Sequence, residues 1–358
     1  MLINTKSRRI SAGIAALALL GLAQGAPAGV RQGEMSPLKV ALGNGGGGAS
    51  GIQVVDDFHI LHMNGFKGAP KRIGITVFNV AFRNEKFQSA TSHRTSSWTN
   101  VGALGINIVN TAHETKSQSG HTQIAGVDPA TRQRITDAAY ADFVDQLTKA
   151  GYEVVGAAEL AKLTPEYATW TAQPNFSPGR FGTYVAPTGR NLYFLRNDTA
   201  KGDSQGDMTA NAQAFQGFDF PLAFKRSPYI AHDGNLGILA VTLVIDYATF
   251  TNTGDTKKFN AEMKVGYTQG VTAQAGSFIS PATMLDYWGT NSGGFPAMAA
   301  LAAPLTSDQP FAITDNSAHD QGQVVLNANP VAFEKAAAEV VHAANGKLVA
   351  TFAAAAAK

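Results

Sequence analysis

The strongest apolar pattern in the chain lies in residues 72–82. Both sets of alternating positions are apolar there, one set being Ile73, Ile75 and Val77 and the other Phe78, Val80 and Phe82. A strand that is covered on both faces has this composition, whereas a half-exposed strand alternates apolar with polar residues. We therefore predict a buried strand, with its two apolar sets on opposite sides of a sheet.

An amphipathic helix is predicted over residues 129–150. Its apolar stripe recurs at every fourth position, through Ile135, Ala139, Phe143 and Leu147. Asp128 is placed to cap the free amides, Pro129 suits the first turn, and Gly151 can adopt the left-handed conformation that ends a helix. A short strand over 152–156 follows, so strand, helix and strand form a βαβ-like unit.

A second pair of strands is predicted in residues 238–273. Residues 238–250 are apolar at both sets of positions, and residues 259–267 alternate apolar with polar residues. The polar turn between them predicts an antiparallel hairpin. Asn329 and Pro330 then predict the start of a C-terminal helix, which Gly346 would bend or split.

These elements predict an α/β (α+β) fold. We expect a mixed β-sheet with helices packed mainly on one face, plus long loop excursions at residues 84–128 and 170–235. The first excursion is rich in Ser, Thr, Asn, Gln and His. A structureless loop of that length is unusual in a compact domain, so we expect a hairpin or a binding loop.

The N-terminus has the pattern of a secretory signal peptide. Lys6, Arg8 and Arg9 precede an apolar run over 14–22, and small residues follow. The run is shorter than the ~20 residues that span a bilayer. We predict a signal peptide at residues 1–25, a Gly-rich linker at 26–50 and a single α/β domain at 51–358. The predicted location is periplasmic or secreted, with no transmembrane helix.

Charge and cysteine content exclude several classes of protein. Removal of residues 1–25 takes away three basic residues and no acidic one, which leaves 25 basic residues against 26 acidic ones. A nearly neutral chain has no general electrostatic attraction to nucleic acid. The chain contains no cysteine, so disulfides, thiolate catalysis and Cys-ligated metal sites are excluded.

Two sets of residues could bind a metal ion. Asp57, His59 and His62 are the densest group of ligand types, but on a strand His59 and His62 would point to opposite sides. The histidines of the first excursion are the second set, at positions 93, 113 and 121, with Glu114 beside them. Either set would make the protein a secreted metal-dependent enzyme, with a divalent metal as its cofactor. The alternative interpretation is that these residues are ordinary strand and loop residues that bind no metal.

Aromatic and arginine residues are interleaved over 170–196. They could line a surface that binds a glycan or another polymer, or they could pack as a small core beneath long loops. The candidate ligand-binding residues are Trp170, Arg180, Tyr184, Arg190 and Tyr193.

Other catalytic patterns are not supported. The run Gly43–Gly48 matches the dinucleotide-binding expression, but its composition is that of a linker and no helix is predicted after it. The one Gly-x-Ser-x-Gly match, at Gly202–Gly206, lies in a loop-rich segment where no strand-to-helix turn is predicted, and the phosphate-binding loop of the nucleotidases is absent from the sequence.

The stretch from 141 to 160 resembles a known family. It has a helix with Ala141–Leu147, a strand with Gly151–Val155, and a short helix with Glu159 and Leu160. This order is similar to that in periplasmic proteins related to the curli secretion channel and to the N-terminal domain of the TolB family. The resemblance covers about a third of the chain, and the lipidated cysteine of the curli channel is missing.

The resemblance implies a non-enzymatic role in assembly or secretion at the bacterial envelope, often as rings. We therefore expect an exported cell-envelope protein with a non-catalytic binding or assembly role. Its expected partners are an envelope or secreted protein, or further copies of itself. The alternatives are the metal-dependent enzyme and the polymer-binding module described above.

Overall fold

The structure is a computed structural model that describes residues 30–32, 52–55, 58–101, 107–179, 182–195, 222–252, 265–273, 283–292, 296–301, 304–307, 309–315 and 323–358. The described strands, in chain order, are β1 (Val30–Gln32), β2 (Ile52–Val55), β3 (Phe58–Leu61), β4 (Arg72–Phe82), β5 (Glu85–Val101), β6 (Asn107–Ala125), β7 (Glu153–Val155), β8 (Ser177–Gly179), β9 (Gly182–Val185), β10 (Gly237–Asn252), β11 (Val265–Ala273), β12 (Met284–Trp288), β13 (Ala297–Leu301), β14 (Leu305–Ser307), β15 (Ala312–Asp315) and β16 (Gln323–Ala328). The described α-helices are α1 (Pro129–Lys149), α2 (Ala157–Leu163), α3 (Leu222–Gly234) and α4 (Pro330–Ala356). Short 3-10 helices lie at Met63–Phe66 and Pro165–Thr169.

A mixed sheet of 12 strands forms the centre of the fold, and a second sheet of four strands lies beside it. The large sheet is built around the parallel pair β4 and β10, which are paired from Ile73 opposite Gly237 to Phe82 opposite Ile245, with one shift of register between these ends. The small sheet has the order β15, β16, β6, β5. Strand β5 leaves the end of β4 after a two-residue connection, so the small sheet begins where the central strand of the large one ends.

The βαβ unit is present. β4 and β7 pair in parallel, with Ile73 opposite Val154, and the connection between them runs through β5 and β6 and then through α1. The Asp128 carboxylate accepts a hydrogen bond from the amide of Thr131 at 2.6 Å, and Gly151 has a φ of +84° after the last turn. All four residues of the expected stripe of α1 are buried in the core.

Helices lie on both faces of the large sheet, with the two long ones together. α1 and α4 contact each other and pack on one face through the main core cluster, which includes Phe143 and Phe352. The short helices α2 and α3 pack on the other face through a second cluster that includes Leu160 and Ile230. The α/β class with a mixed sheet and its main helical layer on one face is therefore confirmed.

A β-bulge in β4 changes the expected assignment of its side chains to faces. The register with β10 shifts between Ile75 and Val77, so Thr76 is an extra residue. As a result, Ile73 and Ile75 belong to the same core cluster as Phe78, Val80 and Phe82, and Val77 belongs to the opposite one. Strict alternation predicted that Val77 would lie on the same face of the sheet as Ile75. The bulge exchanges the faces of all the residues that follow it.

Other elements follow the expectations only in part. β10 and β11 pair in the expected antiparallel sense, although residues 253–264, which hold most of the expected second strand and its turn, lie outside the described residues. The Asn329 side chain caps α4 by accepting from the amide of Ala332 at 3.1 Å. α4 continues unbroken through Gly346. Helix α3, which contains Pro228, and strands β12 to β15 were missed, because proline, glycine and alanine weaken the periodicity of those stretches.

The first excursion is a long hairpin made of β5 and β6. In the part of the chain that the structure describes, no helix is long and apolar enough to cross a membrane.

Candidate functional site: a polar ribbon and its root

The feature that best suggests a function is the hairpin of β5 and β6, called the ribbon below. Its strands are joined by 17 consecutive register pairs, from Glu85 opposite Gln123 to Val101 opposite Asn107. β16 pairs with β6 at residues 121–125 alone. Residues of the ribbon approach β10 and β11, but among the described residues no strand pairs with positions 107–120 of β6 or with the second edge of β5.

The register sorts residues 89–100 and 108–119 of the ribbon into two sets, one for each face. The first, called the hydroxyl set, has no Asp, Glu, Lys or Arg: Ser89, Thr91, His93, Thr95, Ser97, Thr99, Val109, Thr111, His113, Thr115, Ser117 and Ser119. The second, called the mixed set, contains charges and one tryptophan: Ala90, Ser92, Arg94, Ser96, Trp98, Asn100, Ile108, Asn110, Ala112, Glu114, Lys116 and Gln118. Neither set forms an apolar row that a core could cover.

This composition has a physical consequence. An isolated two-stranded hairpin is at best marginally stable in water, and it needs further strands or a packed apolar face. The ribbon sequence supplies no apolar face, so further strands are the remaining source of stability. Open strand edges are templates for pairing with another chain. The ribbon is therefore suited to strand addition.

A buried ion pair lies at the root of the ribbon. Arg83, between β4 and β5, lies with its Nε 3.5 Å from a carboxylate oxygen of Asp246, and the two side chains are 3% and 1% exposed. The other carboxylate oxygen of Asp246 accepts hydrogen bonds from the amides of Tyr247 at 2.8 Å and Ala248 at 3.5 Å. These amides lie where the register between β10 and β11 shifts. The ion pair thus joins the strands that lead into both hairpins.

Hydrogen bonds connect the same root to β6. The Tyr247 hydroxyl donates to the carbonyl oxygen of Thr122 at 2.7 Å. Burial raises the pKa of Tyr247 above that of an ordinary tyrosine, so the phenol remains a donor at any physiological pH. The amide of Ile124 donates to the carbonyl of Asn84 at 3.0 Å. Each strand of the ribbon is therefore fixed where it enters the protein.

Asn84 also connects the root to the large sheet and to α1. Its side-chain amide donates to the Thr183 hydroxyl at 2.8 Å, and its side-chain oxygen accepts from the Arg132 guanidinium at 2.9 Å. Burial lowers the pKa of Arg132, although Asp128 opposes this effect. These two hydrogen bonds therefore link the start of the ribbon to β9 and to α1.

The expected ligand-binding residues lie elsewhere and largely in the interior. Trp170 and Tyr193 are buried and contact each other edge to face, with ring centroids 5.3 Å apart. Tyr184 is buried in a separate small cluster, where its ring meets Phe194. Arg180 lies outside the described residues. The structure therefore does not bring the four described ones together on an exposed surface, and the three aromatic rings among them are part of the core.

Arg190 explains why this segment folds against the sheet. The edge of β4 pairs with β7 at residues 72–74 and with β9 at residues 80–82, which leaves a gap at the bulge. The Arg190 guanidinium donates to the carbonyl of Ile75, and also to the Tyr140 hydroxyl at 3.0 Å. Backbone groups that a bulge releases must find other partners when they are buried.

Two further side chains complete the cover of this gap. The Tyr167 hydroxyl donates to the carbonyl of Thr76 at 3.0 Å, and the Asn79 side chain donates to the carbonyl of Tyr193 at 2.8 Å. Burial raises the pKa of Tyr167 to about 12, so it stays protonated and able to donate. The segment around 165–195 therefore serves as a cover for a strand edge.

The expected metal residues lie only in part within the described residues. Asp57 lies outside the described residues. His59 is in β3, opposite Val54 and Ala300. His62 is exposed, with a φ of 54°, at the start of the first 3-10 helix. Among the residues that the structure describes, no three His, Asp or Glu side chains form a group that could hold a metal ion.

The ion pair at the root was missed by sequence reasoning. A signal for it existed, because Arg83 and Asp246 are charged residues directly after Phe82 and Ile245, each at the end of a strongly apolar run. Charged residues are almost never fully buried unless paired. Their mutual contact depends on the parallel register of β4 and β10, which the sequence does not specify.

Comparison of the chain with protein-family models, with curated protein sequences and with solved structures found no match.

Proposed function

We propose that this is an exported protein of the bacterial cell envelope, with a non-catalytic role in assembly through the ribbon. The observation that carries the proposal is a polar two-stranded hairpin whose outer edges, at positions 107–120 of β6 and along β5, pair with no other strand of the described residues. Strand addition satisfies exposed backbone donors and acceptors and needs no apolar face. The buried root supports the proposal, because a ribbon that is already held in a fixed direction loses less conformational entropy when a partner binds.

The proposed partner is a second copy of this chain. Arg94 and Glu114 are register partners within one ribbon. When the β5 edge of a second ribbon lies along β6 of the first at the same height, its Arg94 comes level with the first ribbon's Glu114. Charges then alternate along the row, and opposite charges on adjacent strands contribute roughly 0.2–1 kcal/mol per pair. In this arrangement the hydroxyl sets of the two ribbons lie on one face of the combined sheet, and the two mixed sets lie on the other face.

Export is proposed from the N-terminal pattern of residues 1–25. We expect the protein in the periplasmic or secreted fraction to have lost this segment, with cleavage after Gly25 or Ala28. Intact-mass measurement of the protein recovered from each cell fraction checks this. Recovery of the full-length chain in the cytoplasmic fraction alone would contradict export. The assembly proposal would not be affected, because the ribbon variants test it separately.

Shortening the ribbon tests the assembly role. A variant that lacks residues 90–99 and 109–118 removes ten facing register pairs, preserves the alternation and keeps the root. We expect the mature wild-type protein to form oligomers in light scattering, and the shortened variant to be monomeric with an unchanged thermal midpoint. A wild-type protein that stays monomeric at every concentration would overturn self-assembly. Oligomers formed equally well by the shortened variant would place assembly elsewhere.

A charge exchange tests the proposed arrangement of the copies. Arg94→Glu alone puts like charges along the row and should weaken association. Combining it with Glu114→Arg restores alternating charges and should restore association. Lys116→Glu is the matched control, because its register partner is the neutral Ser92. Equal association of all variants would mean that the ribbons do not pair at equal height.

A further inference from the structure

We propose that His93 and His113 form a binding site for a divalent transition-metal ion on the ribbon. The register places His93 opposite Thr115 and His113 opposite Thr95. The two histidines therefore occupy diagonal positions, one pair of residues apart, in the hydroxyl set. This site differs from the one expected at residues 57–62, and it does not depend on the ribbon's assembly.

The spacing suits one shared ion. Diagonal neighbours on an antiparallel pair have backbone separations of roughly 7–8 Å, with the Cβ atoms somewhat closer. An imidazole reaches several ångströms beyond its Cβ atom, and a zinc ion binds the ring nitrogen at about 2.0–2.1 Å. Two histidines at diagonal positions can therefore hold one ion between them without a change of register.

The neighbouring residue types favour a metal of the imidazole-binding class. Neutral imidazole nitrogens prefer Zn²⁺, Cu²⁺ and Ni²⁺, whereas Ca²⁺ and Mg²⁺ prefer carboxylate and carbonyl oxygens. The hydroxyl set contains no carboxylate that would favour the second group. It also contains no Lys or Arg, so no fixed positive charge shares these positions with the ion. Arg94, Glu114 and Lys116 all belong to the mixed set.

A bound ion would have a definite effect on the ribbon. Strands that are polar on both faces have a weakly specified register and are prone to slip. An ion that bridges His93 and His113 would stabilise the register in which they are diagonal, because it binds that arrangement alone. The remaining coordination positions would be filled by water or by a ligand from a partner.

Calorimetric titration of the mature full chain with Zn²⁺ tests the site. We expect one ion per chain. His93→Ala and His113→Ala should each weaken binding by at least roughly tenfold, since even the loss of a group that only supports a ligand changes metal affinity by roughly 10–100-fold. His121→Ala is the matched control, because it lies in the same ribbon opposite Phe87 and several register pairs away. It should bind Zn²⁺ as the wild type does.

A variant with a higher expected affinity for Zn²⁺ complements the two alanine variants. Thr95→His places a further ligand directly opposite His113 and two residues from His93, so it should tighten Zn²⁺ binding by roughly tenfold or more. Zn²⁺ should also slow hydrogen exchange of the backbone amides in residues 86–120 of the wild type. Unchanged binding in either alanine variant, or no binding by the wild type, would overturn the proposal. A Thr95→His chain that binds no more tightly would overturn the diagonal geometry.

Discussion

Asp246→Ala should lower the free energy of unfolding by ~3–5 kcal/mol, the cost of leaving a buried charge without its partner. Asp246 is 1% exposed and faces the Arg83 guanidinium, which is 3% exposed. The substitution also removes the acceptor for the amides of Tyr247 and Ala248. Equilibrium unfolding in urea, followed by circular dichroism, measures the change.

A matched control is the exposed ion pair on α1. Asp145 lies 2.6 Å from Lys149, and the two side chains are 54% and 73% exposed. Asp145→Ala should therefore change the free energy of unfolding far less than Asp246→Ala does. The double variant Arg83→Met with Asp246→Leu should recover most of the lost stability, since it removes both charges together. A loss below about 1 kcal/mol for Asp246→Ala would show that water reaches this pair and that the root is not closed.

Phe352→Ala should lower the free energy of unfolding by ~3–5 kcal/mol, the usual cost of removing a large buried ring. Phe352 is fully buried near the end of α4. Its ring lies 5.1 Å from that of Tyr152, 5.3 Å from that of Tyr287 and 6.0 Å from that of Phe66. One side chain thus joins the C-terminal helix to the βαβ unit, to β12 and to the first 3-10 helix.

Val331→Ala provides the comparison on the same helix, because Val331 is 75% exposed. It should change stability by less than about 0.5 kcal/mol. Phe352→Leu keeps most of the buried volume and should cost less than Phe352→Ala. Circular dichroism during urea unfolding compares the three variants. Equal stability of Phe352→Ala and the wild type would mean that the Ala-rich end of α4 does not pack on the sheet.

Much of the layer structure could be predicted because its signals are local. Asp128, Pro129 and Gly151 act on the backbone within one turn of themselves, and they set the ends of α1 correctly. The apolar stripe from Ile135 to Leu147 repeats at the helical period and is buried as expected. Elements with weak periodicity, such as β12 to β15, gave no such signal.

The candidate site could be predicted only in outline. The polar residues of 84–128 indicated a hairpin or a binding loop, but not which residues face each other. Trp170, Tyr193 and Arg190 were predicted to bind a ligand, and in the structure Trp170 and Tyr193 are buried while Arg190 donates to the carbonyl of Ile75. The sequence could not show that these residues cover the edge of β4. The uncovered part of that edge lies between the residues that pair with β7 and those that pair with β9, and these pairings depend on the tertiary structure.

The sequence by itself determined the βαβ unit, the second hairpin, the capped C-terminal helix and the absence of cysteine chemistry. Only the tertiary structure decided the bulge at Thr76, the contact of Arg83 with Asp246 and the register of the ribbon. The physical reason is the range of the interactions. Helix periodicity and capping depend on neighbours within a few residues, whereas strand register and buried ion pairs depend on how distant segments pack together.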